Sequence, residues 1–510
     1  MDREIVIVGA GFSGIGVAIK LQQAGFPDFL ILEAGDDVGG TWYWNTYPGV
    51  AVDIPSFSYQ FSFEQRDDWS RSYATGRELR AYAVHCVDKY KLRRNIRFAT
   101  TVTTAVYDER ANLWRLSTSA GTELTARFLI NASGVLTQPK RPDIPGVDEF
   151  AGLTMHTARW DHTRDLAGRR VGIIGTGASA VQLIPSLAPN VEHLTVFQRT
   201  PIWCLPKPDF ALSDRARRAL RYIPGVRGLA RWASQGFVEV TFPLAGHYFT
   251  AIPGSGSLES LARAYIHSRV DDPVVRDKLT PRYAPGCKRP SFHNDYYATF
   301  NRDNVQLETN SITRICADGV YTADGLLHGL DVLILATGFK VFESGTMPTY
   351  VLRGRGGIEQ SQWWGENRYQ AYHGVSVPGF PNHFSIFGPY GYNGASYFTL
   401  IEAQSAHILR CLRHARTTGS NLIEVTRQAN DRYFAEMLAR RSHQVFWQDS
   451  CAESNSYYFT EHGDVPLRPH TTVETYWRSN RFDLDDYEFA RGGAVPSRVH
   501  SIEPAQGGPQ

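Results

Sequence analysis

A glycine-rich turn that occurs twice constrains the fold of this chain more than any other feature. Its first copy, GAGFSG at residues 9–14, directly follows EIVIV, an apolar run that predicts a buried strand. In such a turn, Gly9 makes the turn, Gly11 lets the backbone approach a pyrophosphate, and Gly14 lets the next helix pack closely on the strand. The helix N-terminus offers free N–H groups to phosphates. This context predicts a dinucleotide site, and an ordinary tight turn is the alternative.

A second strand completes the first unit. Helix-like spacing runs over residues 15–23, and the strand FLIL at residues 29–32 ends at Glu33. An acidic residue about 20 positions after the turn is where a Rossmann-type unit accepts ribose hydroxyls. Glu33 is therefore the predicted ribose ligand of the first nucleotide.

The second copy, GTGASA at residues 175–180, follows the strand RVGII and precedes a predicted helix at 181–187. Ala180 takes the third glycine position, an accepted variant. The next strand, 193–197, leads to Arg199, and an arginine pairs with a 2′-phosphate that an acid would repel. This unit is predicted to bind NADP, unless Arg199 is an ordinary surface cation. The first unit's second strand is followed by the acidic Glu33, and that of the second unit by the basic Arg199. Together they predict FAD and NADPH, as in a flavoprotein that takes hydride from a nicotinamide.

Composition excludes several other classes of protein. The 510 residues are 42% hydrophobic and 20% charged, which is globular. A net charge of +2 gives no reason to expect a nucleic acid or an acidic membrane as partner, and nothing indicates an obligate protein partner. The six cysteines form no C-x-x-C pair, so neither a thiol–disulfide flavoenzyme nor a metal site is expected. Isolated cysteines, no leader and no long apolar run predict a cytoplasmic protein.

A twelve-residue segment before the second turn carries a family resemblance. The segment FAGLTMHTARWD, residues 150–161, resembles the F-x-G-x-x-x-H-x-x-x-W-[P/D] fingerprint of Baeyer–Villiger monooxygenases. Heteroatom-oxidising flavin monooxygenases show a relaxed form that usually lacks the tryptophan. The fixed positions are Phe150, Gly152, His156, Trp160 and Asp161.

Other segments extend the resemblance along nearly the whole chain. VGGTWYWN at residues 38–45 and YPG at 47–49 resemble the loop that cradles the flavin. NASG at 131–134 and ATGF at 336–339 resemble the two hinges between the cofactor domains. GCKRP at 286–290 resembles the segment that carries the active-site arginine.

The resemblance implies a role for individual residues. It implies that FAD is held by Gly9, Gly11, Gly14, Glu33, Gly40, Thr41, Trp42, Asp53, Tyr59 and Val102. It implies that NADP is held by Gly175, Thr176, Gly177, Ser179, Ala180, Gln182, Arg199, Thr200 and Lys288, with Tyr457 near the nicotinamide ribose. It implies two catalytic residues, Arg289 as the active-site arginine and Asp53 as the residue that orients it.

The implied reaction explains these residue types. NADPH reduces the flavin, O2 adds at flavin C4a, and the deprotonated peroxide attacks a ketone to give an ester or lactone. Arg289 would favour the anionic peroxide, because an arginine keeps its charge. His156 and Trp160, four residues apart, are expected on one face of a helical turn that couples the domains. A buried structural role for His156 is the alternative.

Three departures from the family pattern matter. Thr46 and Ala51 stand where arginines are common, and Tyr457 stands where the family often has tryptophan. The ketone is therefore not predicted. A sulfur- or nitrogen-oxygenating flavin monooxygenase is the alternative activity, and a flavin-binding redox sensor is the alternative from another class.

The fold class predicted is α/β, with two Rossmann-like domains for FAD and NADP and a helical insert. Helical spacing at residues 213–222 and 257–266 indicates the insert. An apolar stretch at 232–249 is expected to line a substrate channel, with plain core packing as the alternative. The tail after residue 491 is expected to fray. The predicted divisions are residues 1–140 and 342–510 for FAD, 141–203 and 287–341 for NADP, and 204–286 for the insert.

Overall fold

A computed structural model describes residues 1–251, 257–343, 345–451, 454 and 456–491 of the chain. The segment after residue 491, which the sequence predicts to fray, lies outside the described residues.

Strands of the described part are numbered in chain order. They are β1 Arg3–Val8, β2 Phe29–Leu32, β3 Ile96–Arg97, β4 Val102–Asp108, β5 Leu113–Thr118, β6 Glu123–Asn131, β7 Leu153–His156, β8 Arg170–Ile174, β9 His193–Phe197, β10 Cys204–Leu205, β11 Ser291–Phe292, β12 Val305–Glu308, β13 Ile312–Cys316, β14 Gly319–Thr322, β15 Leu327–Gly329, β16 Val332–Leu335, β17 Val351–Arg353, β18 His383–Ser385, β19 Leu422–Val425 and β20 Tyr487–Ala490.

Helices of the same part are numbered likewise. They are α1 Phe12–Gln23, α2 Thr41–Trp44, α3 Gly76–Lys89, α4 Ala178–Leu187, α5 Asp214–Tyr222, α6 Val226–Glu239, α7 Ala245–His247, α8 Ser257–Arg269, α9 Pro273–Leu279, α10 Tyr296–Thr299, α11 Gln360–Asn367, α12 Tyr397–Thr418, α13 Arg427–Arg440 and α14 Thr472–Arg481.

The first large sheet has the strand order β17-β4-β5-β6-β1-β2-β3, with β18 paired to β6. Strand β1 runs parallel to both β2 and β6, while β5 is antiparallel to β4 and β6. Its central strands β1 and β2 are buried on both sides: α1 and α12 cover one face, and the aromatic cluster around Trp114 covers the other. The carboxyl ends of β1 and β6 meet at one edge, where a Rossmann-type fold binds its ligand.

The second large sheet is wholly parallel, with the order β12-β9-β8-β16-β7. Strands β17 and β18, late in the chain, return to the first sheet, whereas β16 belongs to the second. The two-sheet α/β fold class is confirmed. The residue boundaries of the domains stay a prediction. The return of β17 and β18 to the first sheet supports it.

Both glycine-turn helices begin three residues earlier than predicted. Helix α1 begins at Phe12 and α4 at Ala178, directly after the N-cap residues Gly11 and Gly177. The third glycine position therefore lies inside the first helical turn. A Cβ placed at Gly14 would lie 1.9 Å from the carbonyl oxygen of Gly9, so strand and helix touch there.

The predicted insert is largely helical, and α5 and α8 match the two helices that spacing predicts. Its first two residues form β10, which pairs with β11. The apolar stretch at 232–249 does not behave as one channel wall. Trp232 at its start is among the most exposed side chains of the described chain, whereas Pro243 and His247 are buried.

A disulfide joins Cys287 to Cys451, 164 residues later in sequence. The expectation that all cysteines stand alone is wrong for this pair, because the fold brings together segments whose separation carries no spacing signal. Both cysteines are buried, and Cys287 directly precedes Lys288 and Arg289. The bond ties the arginine segment to the C-terminal part of the chain.

Within the described ranges, no helix is long and apolar enough to cross a membrane.

The disulfide gives a stability prediction. Replacing Cys451 by Ser should lower the free energy of unfolding by about 2–4 kcal/mol, because the cross-link restricts the unfolded chain. Urea unfolding of Cys451→Ser and wild type measures the difference, and Cys316→Ser, at a free and partly exposed cysteine, is the matched control.

Thiol titration of the unreduced, denatured protein checks the bond itself. Four reactive thiols are expected, since Cys86, Cys204, Cys316 and Cys411 are free. Titration of all six cysteines would contradict the pairing. With dithiothreitol present throughout, wild type should unfold at the same midpoint as Cys451→Ser.

Candidate functional site

A cavity of about 510 Å³ opens at the carboxyl edge of the first sheet and extends to the second. Its lining combines both glycine turns with late segments of the chain. Residues predicted from the sequence that line it are Gly9, Gly11, Glu33, Gly40, Thr41, Trp42, Asp53, Tyr59, Val102, Ser179, Gln182, Arg289 and Tyr457.

The first glycine turn has the geometry that a pyrophosphate needs. Gly9 has φ +105°, and a Cβ there would lie 2.6 Å from the carbonyl oxygen of Ala132. The turn therefore packs directly on the segment after β6, and a side chain would separate them. Because α1 begins at Phe12 with no side-chain cap, its first N–H groups remain available at the cavity. The donor set fits a dinucleotide phosphate.

Glu33 is buried at the end of β2, and its carboxylate also stabilises the turn. It accepts hydrogen bonds from the backbone N–H groups of Ala10 at 2.6 Å and Gly35 at 2.8 Å. Burial raises the pKa of Glu33, and these N–H donors offset part of that rise. Sequence reasoning placed Glu33 at the ribose but did not foresee its bonds to the glycine turn.

Arg289 and Asp53 meet in the cavity wall. Arg289 Nε donates to Asp53 Oδ2 at 2.9 Å, and Arg289 Nη1 donates to the Tyr392 hydroxyl at 3.3 Å. The guanidinium also lies over the ring of Phe242, 4.2 Å from its centroid. Within the described residues Nη2 has no hydrogen-bond partner, so its two N–H groups are available to a ligand.

Mutual charge keeps both partners ionised. Burial works against the charge of Asp53, but Arg289, and more weakly Lys207, lower the pKa of its carboxyl below the usual value. Burial likewise opposes the charge of Arg289, and the Asp53 carboxylate raises the pKa of the guanidinium well above its ordinary value. The pair is therefore a fixed cation and a fixed anion at any physiological pH.

Tyrosine side chains surround this ion pair. Tyr392 and Tyr397 stack with centroids 5.3 Å apart, and Tyr59 meets the edge of Trp42 at 5.9 Å. Burial raises the pKa of Tyr59 well above its ordinary value, so its phenol stays neutral. Tyr457, the replacement for the usual tryptophan, is half-exposed at the cavity edge.

Gln182 joins the two glycine-turn units. Its side-chain amide donates to the carbonyl of Ala51 at 2.9 Å and accepts from the Tyr47 hydroxyl at 2.9 Å. The sequence predicted Gln182 as a ligand of NADP and missed this bridge.

Arg199 and Lys288 lie close enough to influence one another electrostatically. Burial and the charge of Arg199 lower the pKa of Lys288 from its ordinary value to about 8. Arg199 is exposed, and Thr176 Oγ1 donates to the carbonyl of Thr200 at 2.9 Å, which fixes the turn beside it. Two cations near the second glycine turn fit the 2′-phosphate that the sequence predicts there.

The fingerprint lies mainly outside the cavity. His156 ends β7, and a short 3₁₀ turn at Thr157–Arg159 separates it from Trp160, so the expectation that both share one helical face is wrong. His156 Nδ1 accepts from Ala158 N–H at 3.0 Å, and its Nε2 lies 3.4 Å from Thr337 Oγ1 in the second hinge. Burial and nearby Arg159 lower the pKa of His156 to about 4, so it is neutral.

The other fingerprint residues have structural surroundings. Phe150 is buried beside Gly152, where a Cβ would approach the carbonyl of Asp331. Trp160 packs against the apolar core around the second sheet. Asp161 is on the surface, where its carboxylate accepts a hydrogen bond from the Thr163 N–H. Arg159, an unspecified position of the fingerprint, is the residue that lines the cavity.

Three residues outside the cavity resemble a metal site. Glu436, His470 and Glu474 place ligand-type atoms within 4.8 Å of one another. Arg440 and Arg478 already pair with the two carboxylates. A cation would have to displace these arginines, so the arrangement is better explained as an ion-pair cluster.

Comparison with known proteins identifies relatives of this chain. The family described as pyridine nucleotide-disulphide oxidoreductase matches residues 6–223. A Baeyer–Villiger monooxygenase of Streptomyces coelicolor is 36% identical over 473 residues, covering 92% of this chain and 89% of the relative.

Two solved structures cover 96% of this chain and 99% of their own. One is a closed structure of cyclohexanone monooxygenase, with a TM-score of 0.86 and 30% identity. The other is OTEMO in complex with FAD and NADP, with a TM-score of 0.84 and 31% identity. The resemblance read from the fingerprint is thereby confirmed. With more than a third of its residues identical to such an enzyme across nearly its whole length, the chain belongs to the Baeyer–Villiger monooxygenases.

Proposed function

We propose that the protein inserts one oxygen atom of O2 next to the carbonyl of a ketone, with Arg289 as the catalytic cation. The ketone, O2, NADPH and a proton give an ester or lactone, water and NADP⁺. The observation that carries the proposal is the Asp53–Arg289 pair, whose free guanidinium edge lines the cavity beside the first glycine turn.

FAD fits the cavity by the chemistry of its walls. The first glycine turn, the α1 N-terminus and Glu33 would hold its phosphates and ribose, while Trp42 and Tyr59 line the rest. Bound there and reduced by NADPH, FAD would supply the chemistry that activates O2, one atom of which enters the product.

Arg289 stabilises negative charge on oxygen. An arginine does not lose its proton at neutral pH, so it can attract an oxyanion without quenching it. Asp53 occupies Nε and Tyr392 occupies Nη1, which leaves Nη2 to donate to oxygen in the cavity. A donor preset in this way needs no reorganisation when charge develops.

NADPH is held at the second glycine turn. We assign its 2′-phosphate to Arg199 and Lys288, and its pyrophosphate to the turn at Gly175–Ala180. Gln182 keeps α4 against the flavin-side loop, which sets the distance between the two cofactor sites.

Removing the cation should separate cofactor oxidation from product formation. In Arg289→Ala, ester formation should fall about 10²- to 10³-fold, the cost of losing one donor to an oxyanion. NADPH oxidation should continue, because Arg289 lies outside the predicted phosphate site. Mass spectrometry of products formed with isotope-labelled O2 from a ketone and thioether panel measures this, with exposed Arg110→Ala as control.

Unchanged ester yield in Arg289→Ala would contradict the catalytic role. If labelled sulfoxide were the sole product of the wild-type enzyme and every ketone stayed unreacted, the activity would instead be heteroatom oxidation.

The Tyr392 hydroxyl should act as a positioning group for Arg289. In Tyr392→Phe the ester-forming kcat should drop about tenfold, because a hydrogen bond to a charged group is lost. The flavin reduction rate with NADPH should stay unchanged, and the H2O2 formed per NADPH should rise. Tyr397→Phe is the matched control, since Tyr397 stacks on Tyr392 without a bond to Arg289. An equal yield of H2O2 per NADPH in the two variants would contradict this role.

Lys288 should make NADPH binding depend on pH. The free lysine has a pKa of about 8, and only its protonated form attracts the phosphate. As pH rises above about 8, the free enzyme loses this charge, so NADPH affinity should fall by up to about tenfold per pH unit. Titrations from neutral to alkaline pH measure the dissociation constant. Lys288→Gln should bind weakly with a flat profile, while exposed Lys278→Gln should follow wild type.

A further inference from the structure

An unpartnered apolar face lies on α6 of the insert. Leu229, Trp232 and Val240 follow one another at helical spacing of three and eight residues, with Gly236 between the last two. Their exposed fractions are 71%, 81% and 63%. Side chains three and four apart share one helical face, so these form a stripe turned to solvent.

The stripe continues onto α14. Thr472 N–H donates to Glu239 Oε1 at 2.9 Å, so the start of α14 lies against the end of α6. Val473 is 76% exposed, and Tyr476 and Trp477 are about half exposed. We call the whole feature the apolar band; its residues are Tyr222, Ile223, Leu229, Trp232, Phe237, Val240, Val473, Tyr476 and Trp477. Exposed apolar side chains gathered on neighbouring helices mark an interaction surface.

Positive charge flanks the apolar band. Residues 213–233 contain six arginines and one aspartate, although the whole chain carries only +2. Within the described residues the exposed Arg215 and Arg218 have no ion-pair partner, and Arg221 reaches Asp67. The balanced charge of the whole chain hides this local excess, which is why composition gave no sign of an acidic surface as partner.

We propose that the apolar band docks on an anionic lipid surface. Tryptophan, tyrosine and leucine side chains enter the boundary between headgroups and acyl chains, and arginines beside them attract anionic lipid. A second copy of this chain fits less well. A two-fold contact would bring the same arginine-rich segment against itself.

The position of the band connects it to the cavity. Val240–Leu244 forms a π-helical turn, and its Phe242 contacts the Arg289 guanidinium. A lipid surface on α6 would thus adjoin the turn whose Phe242 contacts Arg289, and an apolar ketone dissolved in lipid would be close to its site. Docking itself does not depend on the reaction proposed above.

Vesicle flotation of the holoenzyme tests the proposal. Vesicles of phosphatidylcholine and phosphatidylserine in equal parts should carry the enzyme, and vesicles of phosphatidylcholine alone should carry much less. Leu229→Ser with Trp232→Ser should weaken binding by at least about tenfold. Arg215→Gln with Arg218→Gln should weaken it about 30-fold on the anionic vesicles. Leu326→Ser, at an exposed leucine outside the band, is the control.

Each variant must first retain flavin absorbance and wild-type NADPH oxidation in solution, which shows that it is folded. Binding that is equal on both vesicle types, or unchanged in the double variants, would overturn the proposal. A third result would also overturn it: the wild type sediments as a dimer and binds no vesicles, and Leu229→Ser with Trp232→Ser dissociates the dimer. The apolar band would then be an interface between copies of this chain.

Discussion

The ion pair between Asp53 and Arg289 joins parts of the chain 236 residues apart and sets the conditions for everything around it. Two charges leave water at a cost, and each alone in this wall would be strongly unfavourable. The contact offsets that cost only while both segments keep their positions to within a hydrogen-bond length. The surrounding structure is therefore required to hold two distant segments in fixed register.

Several contacts hold the arginine segment in place. The disulfide fixes Cys287 from the C-terminal side, and Val445 packs against Gly286, where a Cβ would be crowded. On the other side, Tyr283 donates to the carbonyl of Pro201 at 2.8 Å and accepts at its own carbonyl from Trp203 Nε1 at 2.7 Å. The arginine segment is thus anchored by hydrogen bonds to the chain between β9 and β10 and by a covalent bond to the C-terminal region. Such support would give Arg289 the precision that its proposed catalytic role requires.

The sequence predicts what is local. The two glycine turns, their strands and Glu33 are recognisable because a backbone conformation and a phosphate site demand particular residues at short spacing. The helix starts were misplaced by one turn, since the third glycine position belongs to the helix and not to the loop. The family resemblance supplied Arg289 and Asp53, whose ion pair no spacing rule would reveal.

What the sequence missed depends on contacts between distant segments. Tyr392 and Phe242 touch Arg289, yet neither belongs to a motif, and only the fold brings them to it. Cys287 and Cys451 pair across a separation that no cysteine rule covers. The sequence did not predict the exposure of the apolar band either: an apolar stretch is expected in a core, and only the fold shows that side chains such as Trp232 face solvent.

The choice of tyrosine as the second partner of Arg289 follows from charge. Asp53 already balances the guanidinium, and Lys207 contributes a further positive field at Asp53. A second carboxylate at the position of Tyr392 would cancel the remaining positive charge of Arg289 and Lys207, and it would oppose the oxyanion role proposed for Arg289. The Tyr392 hydroxyl accepts the hydrogen bond from Nη1 without placing a second carboxylate beside the guanidinium. Nη2 has no hydrogen-bond partner among the described residues, so it is the part of the guanidinium left for the oxyanion role proposed for Arg289.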